Sequence, residues 1–230
     1  MHEYDKLVKL DLDIESKLAR PQREHQPNGN VVRRTILQMF QIGSVVCSTL
    51  ISGDNASAEE PSCKGDQLAV AANAMRDAKK ALDRSIEALK TPQGSDQVRL
   101  STWLGVRSSS DVDKVRLIMQ KVRVFADGAT FLCAVKTDMA LGDVFAYVRP
   151  DTSFVIVLGD FFFSAKDTGY SSKLGVLIHE MSHFTLAGAT KDPKIYGPDE
   201  AKKLAANDPK AAQNNAENIE YFVEAVNFRL

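Results

Sequence analysis

Two histidines four residues apart, with a glutamate directly after the first, constrain this chain more than any other feature. The stretch is His179-Glu180-Met181-Ser182-His183, an HExxH pattern. On a helix, residues i and i+4 share one face about one turn apart, so the two imidazoles can grip a single metal ion. The glutamate between them projects close enough to take a proton from a water at the metal. The flanking residues have helical spacing: Leu174, Leu177, Ile178 and Met181 form an apolar stripe, which buries one side. Ser171 or Ser172 is placed to cap the start of this helix and Gly188 to stop it. Of the four histidines, the other two are His2 and His25 near the start, so half of a scarce residue type stands at metal-ligand spacing.

A catalytic zinc takes three protein ligands and keeps one position open. No histidine follows His183. The longer pattern HExxHxxGxxH fails, because Leu186 stands where its glycine belongs and Ala189 where its third histidine belongs. The third ligand is then a carboxylate, or a histidine returned from the N-terminal region. Asp192 is the nearest carboxylate; Gly188 can turn the chain back toward the metal and Pro193 stiffens the residues after it. Glu200, Glu217, Glu220 and Glu224 are rivals, since a glutamate on a later helix is the third ligand in thermolysin-like sites.

His-Glu-Met-Ser-His-Phe-Thr, then Ala-Thr-Lys-Asp and Tyr-Gly, resembles the aspzincins, the deuterolysin and peptidyl-lysine metalloendopeptidase group. Their signature is HExxH followed by GTxDxxYG. The resemblance runs over roughly residues 60–228. It includes Thr102-Trp-Leu-Gly105, Phe131-Leu-Cys133, Phe145-Ala-Tyr-Val148, Ile156-Val-Leu158 and Asn215-Ala-Glu-Asn-Ile-Glu-Tyr-Phe222. It implies one zinc ion held by His179, His183 and Asp192, with Glu180 as the base. It also implies that Tyr196 donates a hydrogen bond to the tetrahedral intermediate. Ala189 replaces a glycine of close relatives, and Tyr196 lies four residues after Asp192 where the family has three. In lysine-specific members two acidic residues face the pocket for the residue after the scissile bond, and Glu217 and Glu220 match them. A buried acidic pair there would select a lysine ammonium. Secreted members carry two disulfides. Cys63 and Cys133 match one pair, while Val135 and Gly159 stand where the other would be. The implied Cys63–Cys133 bridge closes a long loop worth about 3–5 kcal/mol.

A disulfide belongs to an oxidising compartment. Met-His-Glu-Tyr-Asp-Lys at the start is charged and gives no secretory signal. The expectation is a protein that is extracellular or delivered out of the producing cell, as a toxin or effector, with an inhibitor, immunity or delivery partner. The apolar stretch 36–51 is interrupted by Gln38, Gln41 and Ser44, too short and polar to span a bilayer. With a net charge of −1 and scattered basic residues, nothing points to nucleic acid.

Residues 1–57 read as an N-terminal extension, a pro-segment, adaptor or added layer, and 58–230 as the metalloendopeptidase domain. A short helix at 14–18 is broken by Pro21 and Pro27-Asn-Gly-Asn30, and 52–57 reads as a linker. Apolar periodicity predicts helices over 67–89, with Leu68, Ala71, Ala72, Met75, Ala78 and Leu82 on the buried face, and over 111–124. Strands are expected next at 145–148 and 154–158, joined by a turn at Pro150-Asp151. After the metal helix come helices at 198–204 and 209–226. The layout is α+β, a zincin-like domain with a small sheet. An edge strand carrying Ala146 and Tyr147 is expected to pair with the substrate backbone. The function expected is zinc-dependent cleavage of peptide bonds, with lysine favoured after the scissile bond. The alternatives are a zinc amidase acting on cell-wall peptides and a non-catalytic binding module that keeps the zincin fold.

Overall fold

The computed structural model describes residues 62–134, 144–152, 154–193 and 197–230. The expectations for 1–57, the boundary after residue 57, Val135 and Tyr196 lie outside those residues. Three helices come first: α1 (Gly65–Ala88), α2 (Ser95–Leu104) and α3 (Ser109–Gly128). Three short strands come next, β1 (Thr130–Cys133), β2 (Ala146–Val148) and β3 (Val155–Leu158). The chain then forms α4 (Asp160–Ser164), α5 (Lys173–His183), α6 (Pro198–Asn207), α7 (Pro209–Ala212) and α8 (Ala216–Phe228). This is the α+β layout expected, and no helix among the described residues is long and apolar enough to cross a membrane.

The sheet has the order β1-β3-β2. β1 runs parallel to β3, with Thr130 opposite Val155, and β2 runs antiparallel to β3, with Ala146 opposite Leu158. β2 is thus an edge strand, as expected, and it packs against α5. The outer side of β1 is covered: Ser62 bridges to Leu132, and the Cys63 amide donates to the Phe131 carbonyl at 3.4 Å. A Cys63–Cys133 disulfide ties the same corner, with Cα atoms 5.0 Å apart across a separation of 70 residues. A loop of that length is worth about 4 kcal/mol in unfolded-chain entropy.

α5 is the central element. Leu177, Ile178 and Met181 are completely buried, and α1, α3, α8 and β2 pack around it. Its start is capped by Ser172, whose hydroxyl accepts from the Gly175 amide at 3.2 Å. Gly188 does not end it. The helix stops at His183, and Gly188 is small because a Cβ there would stand 2.7 Å from the Ser182 carbonyl oxygen. On α1 the buried face is Ala71, Ala74, Met75, Ala78, Ala81, Leu82 and Ser85, while Leu68 and Ala72 are exposed. Leu68 lies in the first turn, where the helix has not yet reached the core, and Ala72 points away from it.

Besides β1 and the short α4, which are not among the elements expected from the sequence, two regions differ from expectation because of distant contacts. α2 is a helix of modest apolar content whose end is locked by Gly105. Gly105 is left-handed (φ +56°), and a Cβ there would collide with the Ala205 carbonyl and stand 2.8 Å from Pro209. The single helix expected over 209–226 is two, α7 and α8, with a break at 213–215. At the break Asn215 caps α8, donating to Asn218, whose amide donates to the Trp103 carbonyl at 2.5 Å and the Ala201 carbonyl at 2.9 Å. Gly105→Ala is expected to lower the unfolding free energy by about 2 kcal/mol or more, combining left-handed strain with overpacking. Urea denaturation of the two proteins measures it, and an unchanged midpoint would contradict this account of the α2–α7 junction.

Candidate active site

α5 delivers His179 and His183 from adjacent turns of one face, with ring centroids 5.0 Å apart. Asp192 arrives from the loop after the helix. His179 Nε2 lies 3.2 Å from Asp192 Oδ1 and His183 Nε2 lies 3.1 Å from Asp192 Oδ2. Donor atoms at about 2.0–2.2 Å from a tetrahedral zinc are themselves roughly 3.4 Å apart, so this spacing fits one zinc ion. Among the described residues, these three form a group able to hold a metal; Glu200, Glu217 and Glu224 are not part of it. Asp192 is 58% exposed against 20% and 12% for the two histidines, so the site opens on the aspartate's side.

The outer partners of the imidazoles fix their tautomers. His183 Nδ1 donates to the Thr190 carbonyl at 3.0 Å, and a carbonyl can only accept. His179 Nδ1 lies 3.1 Å from the buried Glu220 Oε2 and donates to that carboxylate. With Nδ1 committed to these outer partners, each Nε2 is the nitrogen that would coordinate a metal once bound, and without one it carries a proton toward Asp192. Burial works against charge on His179, yet the bonds to Asp192 and Glu220 overcome it and raise its pKa well above the ordinary value. His183 is raised in the same way, by Asp192 and the Thr190 carbonyl against burial. Partial burial pushes Asp192 up, but the two imidazoles outweigh it and hold the carboxyl well below the usual range. Glu180, on the same helix, is buried, and burial raises its pKa against the pull of both histidines. The cluster is thus a carboxylate-rich setting that favours a cation at its centre.

The Asp192 loop is held from two sides. The Thr190 amide donates to the Ser182 carbonyl at 3.2 Å, and the Thr190 and Ser182 hydroxyls meet at 2.6 Å. One residue further, Lys191 pairs with the start of α8: its amide donates to Asn214 and its carbonyl accepts from Ala216. Neither anchor is readable from the spacing of Asp192, though the second uses the Asn215 motif that the family resemblance contains.

A family model described as lysine-specific metallo-endopeptidase matches residues 89–224. The chain belongs to the aspzincin family. It is similar to an extracellular protease of Aeromonas hydrophila, 34% identical over 139 residues that make up 60% of this chain and 38% of that protein. It is also similar to a peptidyl-Lys metalloendopeptidase of Grifola frondosa, 33% identical over 162 residues, 70% of this chain and 45% of that protein. The chain thus spans less than half the length of these two curated relatives. The solved zinc peptidase from Grifola frondosa superposes with a TM-score of 0.63 at 33% identity, covering 71% of this chain and 97% of that one. Aspzincin metallopeptidases use one zinc ion, and the His179–His183–Asp192 cluster is a fitting site for it.

Three carboxylates of α8 lie beside the metal helix. Glu217, Glu220 and Glu224 succeed one another at helical spacing along one face. Glu217 Oε1 accepts from the Gly197 amide at 3.0 Å and from the Tyr221 hydroxyl at 2.6 Å. Glu220, only 4% exposed, gives Oε2 to His179, and its Oε1 has no hydrogen-bond partner among the described residues. Glu224 is fully buried against the start of α5, and burial together with the Glu220 charge pushes it up to about 8. Gly175 leaves room for these groups: a Cβ there would collide with Glu224 Oε1 and stand 2.9 Å from Glu220 Oε1. A cavity of about 600 Å³ lies beside this face, lined by Phe145, Phe161, Tyr170, Ser171 and Pro198 among others. The metal-site residues do not line it. It is joined to them through α8, since Gly197 beside Pro198 binds Glu217 and Ser171 binds Glu224.

The structure gathers His179, Glu180, His183, Asp192 and Glu220 into one cluster and sets Glu217 a turn away along α8, while Ala146 and Tyr147 lie on the edge strand. Sequence reasoning gives Glu224 only the part of a rival metal ligand, and Ser171 only that of a cap. The loop after His183 also carries a strained residue. Ala189, at the glycine position of the signature that the sequence resembles, is left-handed at φ +48°. Left-handed backbone costs a non-glycine residue about 1–2 kcal/mol, and glycine returns part of that through unfolded-state entropy. Ala189→Gly is therefore expected to raise stability by about 0.5–1 kcal/mol. Denaturant titration tests it, and a loss of stability would show that the alanine methyl packs well enough to outweigh the strain.

Proposed function

We propose that this chain is a zinc endopeptidase that cuts peptide bonds, with lysine preferred after the scissile bond. The observation that carries the reading is the convergence of two imidazole Nε2 atoms and the Asp192 carboxylate, with Glu180 buried on the same helix. Zinc, when bound, acts as a Lewis acid that polarises the scissile carbonyl and makes water acidic enough to lose a proton near neutral pH. His179, His183 and Asp192 are the residues that would hold it, with Glu220 and the Thr190 carbonyl orienting the two rings. Glu180 accepts the proton of the attacking water at its carboxylate and returns it to the leaving amine. A carboxyl raised by burial suits both halves of that transfer, because its pKa moves toward neutrality. Tyr196, by the family resemblance, donates to the oxyanion. The edge strand β2, which carries Ala146 and Tyr147, aligns the substrate backbone by strand addition.

The lysine preference rests on α8. Glu217 and Glu220 present two acidic groups, and Glu220 Oε1 is a buried acceptor with no donor among the described residues. A buried acceptor left unpaired costs about 1–3 kcal/mol, and a substrate ammonium supplies the missing donor. Phe145, Phe161 and Tyr170 wall a cavity that Glu217 and Glu220 do not line themselves, but that adjoins α8 through Gly197 at Glu217 and Ser171 at Glu224. Such a wall suits the aliphatic stem of a lysine. The peptidyl-Lys specificity in the names of the fungal relatives agrees with this. We place the action outside the producing cell. The Cys63–Cys133 disulfide supports it, as does the extracellular protease among the relatives.

Glu180→Gln is expected to keep its zinc and lose cleavage by at least about a hundredfold, as removal of a general base does. Metal analysis beside a peptide-library digest measures both, and undiminished turnover would sink the mechanism. Asp192→Ala is expected to lose zinc during dialysis; full occupancy there would transfer the third-ligand role to another carboxylate. In the same digest the wild-type protein should cut before lysine, whereas cuts confined to cell-wall fragments would point to an amidase.

A further inference from the structure

At Ser171 the cavity wall meets the start of the metal helix. Ser171 lines the cavity, stands next to the α5 cap Ser172, and is left-handed at φ +56° without being glycine. Such a conformation persists only where the surroundings hold it. Glu224 does the holding: Oε2 accepts from the Ser171 amide at 3.1 Å, and Oε1 accepts from the Ser172 amide at 2.8 Å and the Ser172 hydroxyl at 2.6 Å. Nearby, the Tyr221 hydroxyl donates to Glu217 at 2.6 Å. The neighbouring Tyr170 packs against Trp103 and Tyr221, at 5.1 and 5.3 Å between ring centroids. The Tyr170–Ser171 wall therefore has a fixed aromatic backing and one adjustable joint, the Ser171 backbone.

We propose that Glu224 is a positioning residue for substrate selection, which clamps the strained Ser171 backbone and so fixes the Tyr170–Ser171 wall of the cavity. It touches neither the metal ligands nor the reacting bond. It acts on what the cavity accepts, and it does so through two consecutive amides at the start of the metal helix. The fit of the carboxylate is specific: Gly175 is needed to admit it, and both of its oxygens are used. A glutamine in its place has one acceptor for donors that now use two, and its NH2 group faces the Ser171 amide.

This inference rests on the peptidase reading above, and the test separates the two. Glu224→Gln, zinc-loaded, is assayed with matched peptides carrying lysine or alanine after the scissile bond. The expected result is a KM for the lysine peptide raised about tenfold with kcat changed by less than about threefold, and a narrower lysine-over-alanine ratio. Glycine adopts positive φ freely, so Ser171→Gly in the Glu224→Gln background should recover most of the lysine KM. A residue that merely caps α5 would not be rescued by glycine at 171. The proposal is overturned if Glu224→Gln keeps the wild-type KM and ratio, or if the double variant shows no recovery. It is equally overturned if both variants fail to fold, since Glu224 would then hold the helix rather than the wall. If wild type cleaves neither peptide, the peptidase reading fails. Hydrogen exchange then still decides this proposal: Ser171 amide protection should fall in Glu224→Gln and stay unchanged if the clamp is not real.

Discussion

The site depends on how closely α8 approaches α5. Gly175 has no side chain, and into the space it leaves come the carboxylates of Glu220 and Glu224. One of them turns an imidazole, and the other holds the amides that begin the helix. Burying two carboxyl groups side by side costs folding energy unless donors surround them, and it pushes both of them up. Here the donors are the parts that must stay still: a metal-facing ring, a helix cap and a strained wall residue. The same contacts that make the acidic pair tolerable therefore hold the site in register.

A second set of contacts ties Asp192 to that frame. Lys191 pairs with the start of α8, and Thr190 joins the end of α5, so the loop carrying the aspartate is pinned to both helices. The α8 start is itself fixed by Asn218 on the carbonyls of Trp103 and Ala201. A shift of α8 would move the orienting partner of His179 and the anchor of Asp192 together. The geometry of the three metal-site residues is thus a property of the α5–α8 pair rather than of the HExxH helix alone.

The range of each contact along the chain decides which features are legible in the sequence. The metal helix is legible because its ligands, apolar stripe and cap are all local. α1, α3, β2 and β3 are legible for the same reason, with errors of a few residues at their ends. α2 is not, because its end is set by Gly105 against Ala205 and Pro209, far along the chain. The break before α8 is hidden too, since Asn215 reads as one more polar residue until Lys191 is seen beside it. In the sequence Glu224 is only one of four rival metal ligands on the later helices. Only the absent side chain at Gly175, on a different helix, shows that its helix face is interior. Gly188 misleads in the opposite way: its usual meaning as a helix stop gives way to a packing demand from the Ser182 carbonyl.

The two margins of the small sheet are treated differently. Ser62 and the disulfide close the margin at β1, while β2 leaves its margin beside the metal helix without a strand partner among the described residues. Among the described residues, the β2 margin is therefore where the strand addition proposed above for the substrate backbone would take place, beside the metal helix. The bridge at Cys63 is then more than a staple for stability. By covering the margin at β1, it guards that side of the sheet against extension by a stray strand or by another copy of the chain.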